Sequence, residues 1–413
     1  MKKIVIAGAS TYGVKNAGDD AMFSNLVNGF RRRIPDCRMT FLARHPNKEF
    51  DELFGVRSIK NFEHDSKKQS LGRWFWGFNP GDPTEHLREI RRAIEKCDLI
   101  VIGGNSFMEV SKSDFLRGVV SYSALLATWA KLFEKPYVLY GVAAHPLKLD
   151  YTKQLSRFLC GNAGLVTVRE EFTRRQLLDA GVDDSNIQVL AAPAYGIDPI
   201  WDKGKGLSIL AKENIQFGSG NIVGVGFRHM YWKWTEGQFS DYAAKMASLR
   251  DSMVEDLGAE LLFIPNCTYN VDTPYEDDRV IAESVKSKME YPEKAHLIKG
   301  DYILPETLSL FQLLDMHVSN RRHSCIFAAI HNVPFVAMST GHIWHFKPFM
   351  EALSIPEQVV SFTDDSLESL RSKIRETWTN RAAISRAISD TIPELRAKAR
   401  RHADLLVELM DHI

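Results

Sequence analysis

The chain has 413 residues, 45% hydrophobic and 25% charged, an ordinary globular composition with length for two or three separately cored domains. Lysines plus arginines number 52 and so do aspartates plus glutamates, so no general field draws nucleic acid or an anionic membrane, and any anion site has to be local. The five cysteines, at positions 37, 97, 160, 267 and 325, are odd in number and form no C-x-x-C pair, which argues against a disulfide framework or a thiolate zinc site and fits reduced thiols in the cytoplasm.

The N-terminal MKKIVIAGAS turns polar after a short apolar run. It is too short for a transmembrane helix and lacks a secretory cleavage region, so it is expected to form a first buried strand. DDAMFSNLVNGFRRRI follows with helical spacing, then MTFLAR as a strand. TEHLREIRRAIEKC is a charged amphipathic helix leading into the strand DLIVIGG, and YSALLATWAKLF a helix leading into PYVLYGVA. LVTVRE and IQVLAAP are strands on either side of the helix EFTRRQLLDAGV. Strands that are apolar throughout and alternate with helices predict βαβ units in a parallel sheet buried on both faces.

Residues 199 to 220 carry glycine and charge without periodicity and read as an interdomain linker. A second α/β series begins at NIVGVGFR and runs through AHLIKGD, MHVSN and EQVVSFTD to a charged helical stretch from about 366 to 413. The expected fold is therefore α/β, with two Rossmann-like domains, 1–200 and 201–413, facing a central cleft. Ligands of such sheets sit outside the carboxyl ends of the strands.

Candidate site residues fall at those ends. In MHVSNRRHSCIFAAIHN, the strand MHVS runs into the turn NRRH and the helix SCIFAAIHN, which puts Arg321, Arg322 and His323 where free backbone N–H groups and the helix dipole already favour an anion. Arginine adds a planar fork for carboxylate or phosphate, and histidine carries a proton near neutral pH. A solvated loop is the competing reading. GVGFRHMYWKW repeats the design, with Arg228 and His229 at a strand end and Trp232 in an aromatic run that suits either a sugar-binding wall or packing. VTVREEF places Arg169 at a further strand end, where an anion or Glu170 and Glu171 are its alternative partners.

GASTYGVKNAGDDAMF is glycine-rich, but Val14 stands where a P-loop needs lysine, and no G-x-G-x-x-G occurs. Asp19 suits a helix N-cap, and Asp19 or Asp20 suits a sugar hydroxyl. Gly103 and Gly104, followed by Asn105, end the strand DLIVIGG and permit close approach of a ligand or of another backbone. His342 and His345 are spaced i, i+3 with no third ligand in sight, so no metal is expected. Lys347 is a further cation close by.

In chain order, NAGDDAMF, DLIVIGGNSF, VTVREEFTRRQLLDAGV and VSNRRHSCIFAAIHNVPFVAMS resemble the polysaccharide pyruvyl transferase family, the last through a Ser-x-Arg-x-His block at Ser319, Arg321 and His323. The matches spread over residues 1 to 350. The resemblance implies a glycosyltransferase B type fold whose last helix crosses back to the first domain, and transfer of pyruvyl from phosphoenolpyruvate to a sugar as a ketal. It implies a donor side in 201–413 and an acceptor side in 1–200. Arg228, Arg321, Arg322, Arg169 and Lys347 become donor-binding candidates, His323 the acid/base with Asp19 or Asp20 on the acceptor, and Gly103, Gly104, Asn105 and Trp232 the cleft lining. No cofactor beyond the donor substrate is implied. The acceptor carbohydrate is left open as lipid-linked, nucleotide-linked or polymeric, and GRWFWGFNPGD, residues 72 to 82, is either a packed loop or a contact with the inner membrane face. Two rivals remain at this level. One is a nucleotide-sugar glycosyltransferase that uses the arginines on a diphosphate, and the other is a carbohydrate-binding relative without turnover.

Overall fold

The computed structural model describes residues 1–8, 15–61, 84–104, 106–107, 119–218, 220–230, 235–269, 273–341, 343 and 346–412. The chain divides into two compact units. Unit 1 comprises Met1–Val14, Asp19–Ile197 and Leu395–Ile413; unit 2 comprises Lys15–Gly18 and Asp198–Glu394. Thus two segments leave the simple halves expected from sequence: the short stretch after the first strand groups with unit 2, and the end of the last helix with unit 1.

Unit 1 contains, in order, β1 Lys3–Gly8, α1 Ala17–Arg33, β2 Arg38–Ala43, α2 Lys48–Phe54, β3 Arg57–Lys60, α3 Thr84–Lys96, β4 Leu99–Gly103, β5 Ser106–Phe107, α4 Val119–Leu132, β6 Tyr137–Ala144, α5 Asp150–Gly161, β7 Leu165–Val168, α6 Glu171–Asp179 and β8 Ile187–Val189. Its strands pair in the order β3-β2-β1-β4-β6-β7-β8, with β5 beside β6. Every pairing is parallel. The direction of winding reverses between β1 and β4. β1, β4 and β6 are buried along almost their whole length, as strands covered by helices on both faces must be.

Unit 2 contains α7 Lys203–Lys212, β9 Asn221–Gly226, α8 Glu236–Leu257, β10 Ala259–Phe263, α9 Asp278–Lys286, β11 Ala295–Leu297, α10 Leu304–Phe311, β12 Met316–Ser319, α11 Arg322–Ile330, β13 Phe335–Ser339, α12 Lys347–Ala352, β14 Val359–Ser361, α13 Leu367–Thr379 and the start of α14 Arg381–Asp411. Its parallel sheet runs β11-β10-β9-β12-β13-β14, so winding reverses between β9 and β12. That reversal is where a doubly wound sheet opens a crevice at its strand ends.

The expected linker is in large part α7. Asp202 caps it by accepting the Lys205 N–H at 3.0 Å. Gly206 then lies close against α10, where an added Cβ would stand 2.7 Å from the Ser309 carbonyl oxygen. The two glycines that hide the helix in the sequence include the one that seats it.

The terminal part of α14 lies in the core of unit 1. Ala399, Ala403 and Leu406 are fully buried, and a Cβ on Gly29 of α1 would meet that of Ala403 at 2.2 Å, so small residues set the helix–helix approach. His402 fixes the helix in place. Its Nε2–H donates to the Ala191 carbonyl at 2.8 Å, and its Nδ1 lies 2.7 Å from the Thr167 hydroxyl, which accepts the Gly141 N–H. With Nε2 donating, Nδ1 of a neutral ring accepts from the Thr167 hydroxyl, whose other acceptor is the Leu139 carbonyl at 3.2 Å. Burial holds the imidazole neutral, its pKa pulled down to about 4.

Candidate active site

The winding reversal in unit 2 is bounded by NIVGVG and MHVS, which lie side by side with Gly226 opposite Ser319. Gly226 leaves room for two hydroxyls, since a Cβ there would sit 2.6 Å from Ser319 Oγ and 2.9 Å from Ser324 Oγ. Ser319 Oγ donates to the Gly226 carbonyl at 2.9 Å and accepts the Arg321 N–H at 2.9 Å, so the strand end and the turn are held together.

Asn320 secures the neighbouring loop. Its Oδ1 accepts the Arg228 N–H at 2.7 Å, its Nδ2 donates to the Tyr242 hydroxyl at 3.0 Å, and a longer bond of 3.3 Å reaches the Arg228 carbonyl. The backbone of Arg228 is thereby gripped from both sides. The Arg228 side chain is open to solvent at its surface yet closely surrounded, and its pKa is pulled down to about 10, by desolvation first and then by the charge of Arg321. The charge of Asp278 pulls the other way, and Arg228 stays a cation beside Arg321 at the adjacent strand tips.

Arg321 is the N-cap residue of α11, so this helix starts two residues earlier than the sequence pattern predicts and takes Arg322 and His323 into its first turn. Arg321 is not an open cation. Only 13% of its side chain is exposed, and it forms an ion pair with Asp278, the first residue of α9. Asp278 Oδ2 also accepts the N–H groups of Asn266 at 3.0 Å and Cys267 at 3.1 Å. Burial pushes the Asp278 carboxyl up, while Arg321 and the two N–H donors pull against it. The pair fixes the plane of the Arg321 guanidinium. Beside it a recess of about 20 Å³ is lined by Phe227, Asp278 and Lys299 among others, space for a single water-sized group and too little for a three-carbon phosphate.

His323 lies against Gly18, whose added Cβ would stand 2.0 Å from His323 Nδ1. The short stretch carrying Gly18 is bound to the loop after β10 by Ala17 N–H to the Asn266 carbonyl at 2.8 Å and Thr268 N–H to the Lys15 carbonyl at 3.0 Å, with a salt bridge from Lys15 to Asp301. Arg322 is turned the other way, its guanidinium 5.4 Å from the ring centre of Phe349 in α12. Lys347 is exposed at the start of the same helix. His229 is buried rather than presented, stacked between Phe239 at 3.9 Å and Tyr275 at 4.5 Å, with burial lowering its pKa to about 4.

Arg228, Arg321, Arg322, His323 and Lys347 all belong to unit 2, with Arg228 and Arg321 close enough for their charges to act on one another and Arg322 against Phe349 of α12. Asp19, Asp20, Arg169, Gly103 and Gly104 belong to unit 1. Asp19 and Asp20 lie in the first turn of α1, where they complement its dipole, and Asp19 is not its N-cap, since α1 begins at Ala17. Arg169 is buried at the end of β7, close enough for its charge to act on His402. Gly103 is required by the adjoining strand, since a Cβ would strike Tyr140 at 2.6 Å, and Gly104 has a left-handed backbone with φ 73°. Asn105, Trp232, His342, His345 and the aromatic stretch 72 to 82 lie outside the described residues. Among the described residues, no group of three or more His, Cys, Asp or Glu side chains could hold a metal ion, and no helix is long and apolar enough to cross a membrane.

Sequence reading missed Asn320, Asp278 and Gly18. Asn320 had a weak signal, an amide between Ser319 and Arg321 at a strand end. Asp278 had none, since it is 43 residues from the arginine it holds.

Solved structures with the same architecture are distant in sequence. A glycosyltransferase from Rickettsia africae aligns with TM-score 0.63 at 12% identity over 100% of this chain and 99% of its own. The Anabaena protein Alr3699/HepE, solved with UDP, gives 0.60 at 12% over all of both chains. UDP-GlcNAc 2-epimerase from Neisseria meningitidis, bound to UDP-GlcNAc, gives 0.59 at 11%, again over all of both. These likenesses establish two parallel-sheet α/β units of the glycosyltransferase B type. No curated protein matches the sequence. The family model described as polysaccharide pyruvyl transferase matches residues 16–342, which takes in both strand ends, Gly18, Asp278 and the Arg321–His323 turn. By that match the chain belongs to the polysaccharide pyruvyl transferase family.

Proposed function

We propose that the protein transfers the pyruvyl group of phosphoenolpyruvate to two hydroxyls of a sugar in a polysaccharide or its precursor, forming a ketal. The observation that carries this reading is the pair Arg228 and Arg321 on adjacent strand tips, with His323 two residues beyond Arg321. Phosphoenolpyruvate bears a carboxylate and a phosphate on three carbons, and two guanidinium groups held at neighbouring tips oppose both. Because Asp278 fixes Arg321, that group is preorganised.

The chemistry balances without redox change. A proton adds to the methylene carbon, which becomes the methyl group, and the C2 cation that develops is attacked by one sugar hydroxyl. The C2–O bond to phosphate breaks, inorganic phosphate leaves with the electron pair, and a second hydroxyl closes the ring. Of the two hydroxyl protons released, one balances the proton taken by the methylene and the other leaves with phosphate. His323 is the proposed acid/base, a role commonly worth about 10²–10⁴ in rate. Asp19 or Asp20 is the proposed partner of the acceptor hydroxyl.

The reading is supported by family membership and by this cluster. The Alr3699/HepE and epimerase relatives were solved with UDP or UDP-GlcNAc, so the test sets nucleotide sugars against phosphoenolpyruvate. Phosphoenolpyruvate alone should raise Tm, and an acceptor incubated with it should gain a pyruvate ketal by mass spectrometry, with phosphate released. Stabilisation by UDP- or GDP-sugars alone, and their consumption, would replace this reading with a glycosyl transfer. Binding of carbohydrate without any turnover would replace it with a carbohydrate-binding role.

A further inference from the structure

A second cavity, of about 620 Å³, lies in unit 1 at the edge opposite its strand tips. β1, β2 and β3 are neighbours, and each begins with a cation that lines it: Lys3, Arg38 and Arg57. Arg92 and Lys96, one turn apart at the end of α3, add two more. Against these stand Glu89, which is bonded to Arg57, and the nearby Asp98, which accepts the Lys3 backbone N–H. Beneath the charges the lining is aliphatic, with Met39, Val56, Ile59 and Ala93 and, among the described residues, no aromatic ring.

This arrangement defines its ligand chemically. A nucleotide base or a sugar is usually met by an aromatic face, and none of the described lining residues supplies one. An aliphatic floor under a cationic rim is complementary to an anionic headgroup attached to an alkyl chain, and the volume is that of a small-molecule site. Since ligands of the reaction belong at carboxyl strand ends, the cavity at the amino ends is a different place. We propose that this edge of unit 1 docks on an anionic lipid surface, the headgroup phosphate resting among Arg38, Arg92 and Lys96 and an acyl chain entering above Val56 and Ala93. A chain with no net charge can do this because basic side chains a few ångströms from an anionic bilayer act locally.

The full-length protein is sedimented with vesicles of phosphatidylcholine alone or with added phosphatidylglycerol, at low and high salt. Binding is expected only with phosphatidylglycerol and should fall with salt. The double variant Arg38→Glu/Lys96→Glu should bind at least tenfold more weakly with an unchanged circular dichroism spectrum; if it fails to fold, Arg38→Gln/Lys96→Gln takes its place. Ala93→Phe, which fills the cavity without altering charge, should also weaken binding several-fold. The proposal is overturned if phosphatidylglycerol vesicles are not bound, if the charge variants bind as well as the parent, or if Ala93→Phe has no effect, since the last result means surface charge alone. It is overturned as well if soluble glycerol phosphate competes at the concentration of vesicle headgroups, which identifies a free anion as the ligand.

Discussion

An added methyl at Gly18 would stand 2.0 Å from Nδ1 of His323, closer than atoms tolerate, and one of the two must move. Gly18 serves the imidazole by giving it a flat backbone surface in place of a side chain. Gly18→Ala is therefore expected to lower kcat towards the level of His323→Ala, on the order of 10²-fold or more, with little change in phosphoenolpyruvate binding by thermal shift. Full activity in Gly18→Ala beside an inactive His323→Ala would show that the ring needs no such seat. Arg250 of α8 presents the contrary case. It is fully buried, its guanidinium is 4.1 Å from the ring centre of Phe227, and its three nitrogens have no hydrogen-bond partner among the described residues. Desolvation pulls its pKa down to about 9, so it remains charged at neutral pH in a place that opposes charge. Replacing such a group with an apolar one of similar length removes the cost of burying its charge. Arg250→Met should thus keep or raise the urea midpoint, whereas a clear fall would mean that the cation holds part of the core together.

At the scale of elements, the sequence was most informative where burial is two-sided. IVIAG and LIVIG are apolar throughout and MHVS is buried throughout, because helices cover both faces, and such runs survive without knowledge of any neighbour. The strand tips, and with them Arg228 and Arg321, were legible for the same reason. Local signals failed in two ways. The start of α11 was read late because no capping side chain announces it: Arg321 occupies the cap position with an extended backbone, and its N–H is taken by Ser319 Oγ from two residues upstream. The pairing of Arg321 with Asp278 was invisible because it is tertiary. In α7 the trouble was glycine, which weakens a helix taken alone by about 1 kcal/mol yet here permits contact with α10. A side chain at Gly206 would meet the Ser309 carbonyl at 2.7 Å and Leu313 Cδ1 at 3.0 Å. Gly206→Val should accordingly destabilise unit 2 by roughly 1–3 kcal/mol through overpacking, measured by urea unfolding. Gly237→Ala in the first turn of α8, with no atom within 4 Å of the new Cβ, should be neutral or mildly stabilising and serves as the control. Equal behaviour of the two variants would remove the argument that Gly206 is there for packing.

Across the whole molecule, both units bury neutral histidines, and this gives the protein a definite response to acid. His229 and His317 in unit 2 and His402 in unit 1 have pKa values pulled from 6.5 to about 4, about 3 and about 4, in each case mainly by burial. The unfolded chain binds protons at these positions from pH 6.5 downwards while the folded chain does not. Stability is therefore fully present above pH 6.5 and falls as pH drops, levelling off for His229 and His402 near pH 4 and for His317 near pH 3. Carboxylates held low in the fold, such as Glu213 and Asp301, have ordinary values of 4.5 and 3.8, so their loss begins at lower pH and leaves the interval from 6 to 5 to the histidines. In that interval each buried ring contributes a slope of about 1.4 kcal/mol per pH unit, for a combined slope of roughly 4. His402→Gln retains a donor for the Ala191 carbonyl but cannot be protonated. It is expected to be less stable than the parent at pH 7.5, since it loses the ring fitted against Tyr140 and Thr167, and to lose stability between pH 6 and 5 with a slope lower by about one-third. Urea unfolding of both proteins at pH 7.5, 6 and 5 reads the two slopes directly. Identical slopes would mean that the His402 imidazole is already protonated in the fold, with Nδ1 donating to the Thr167 hydroxyl, and the neutral tautomer assigned to it would have to be reversed.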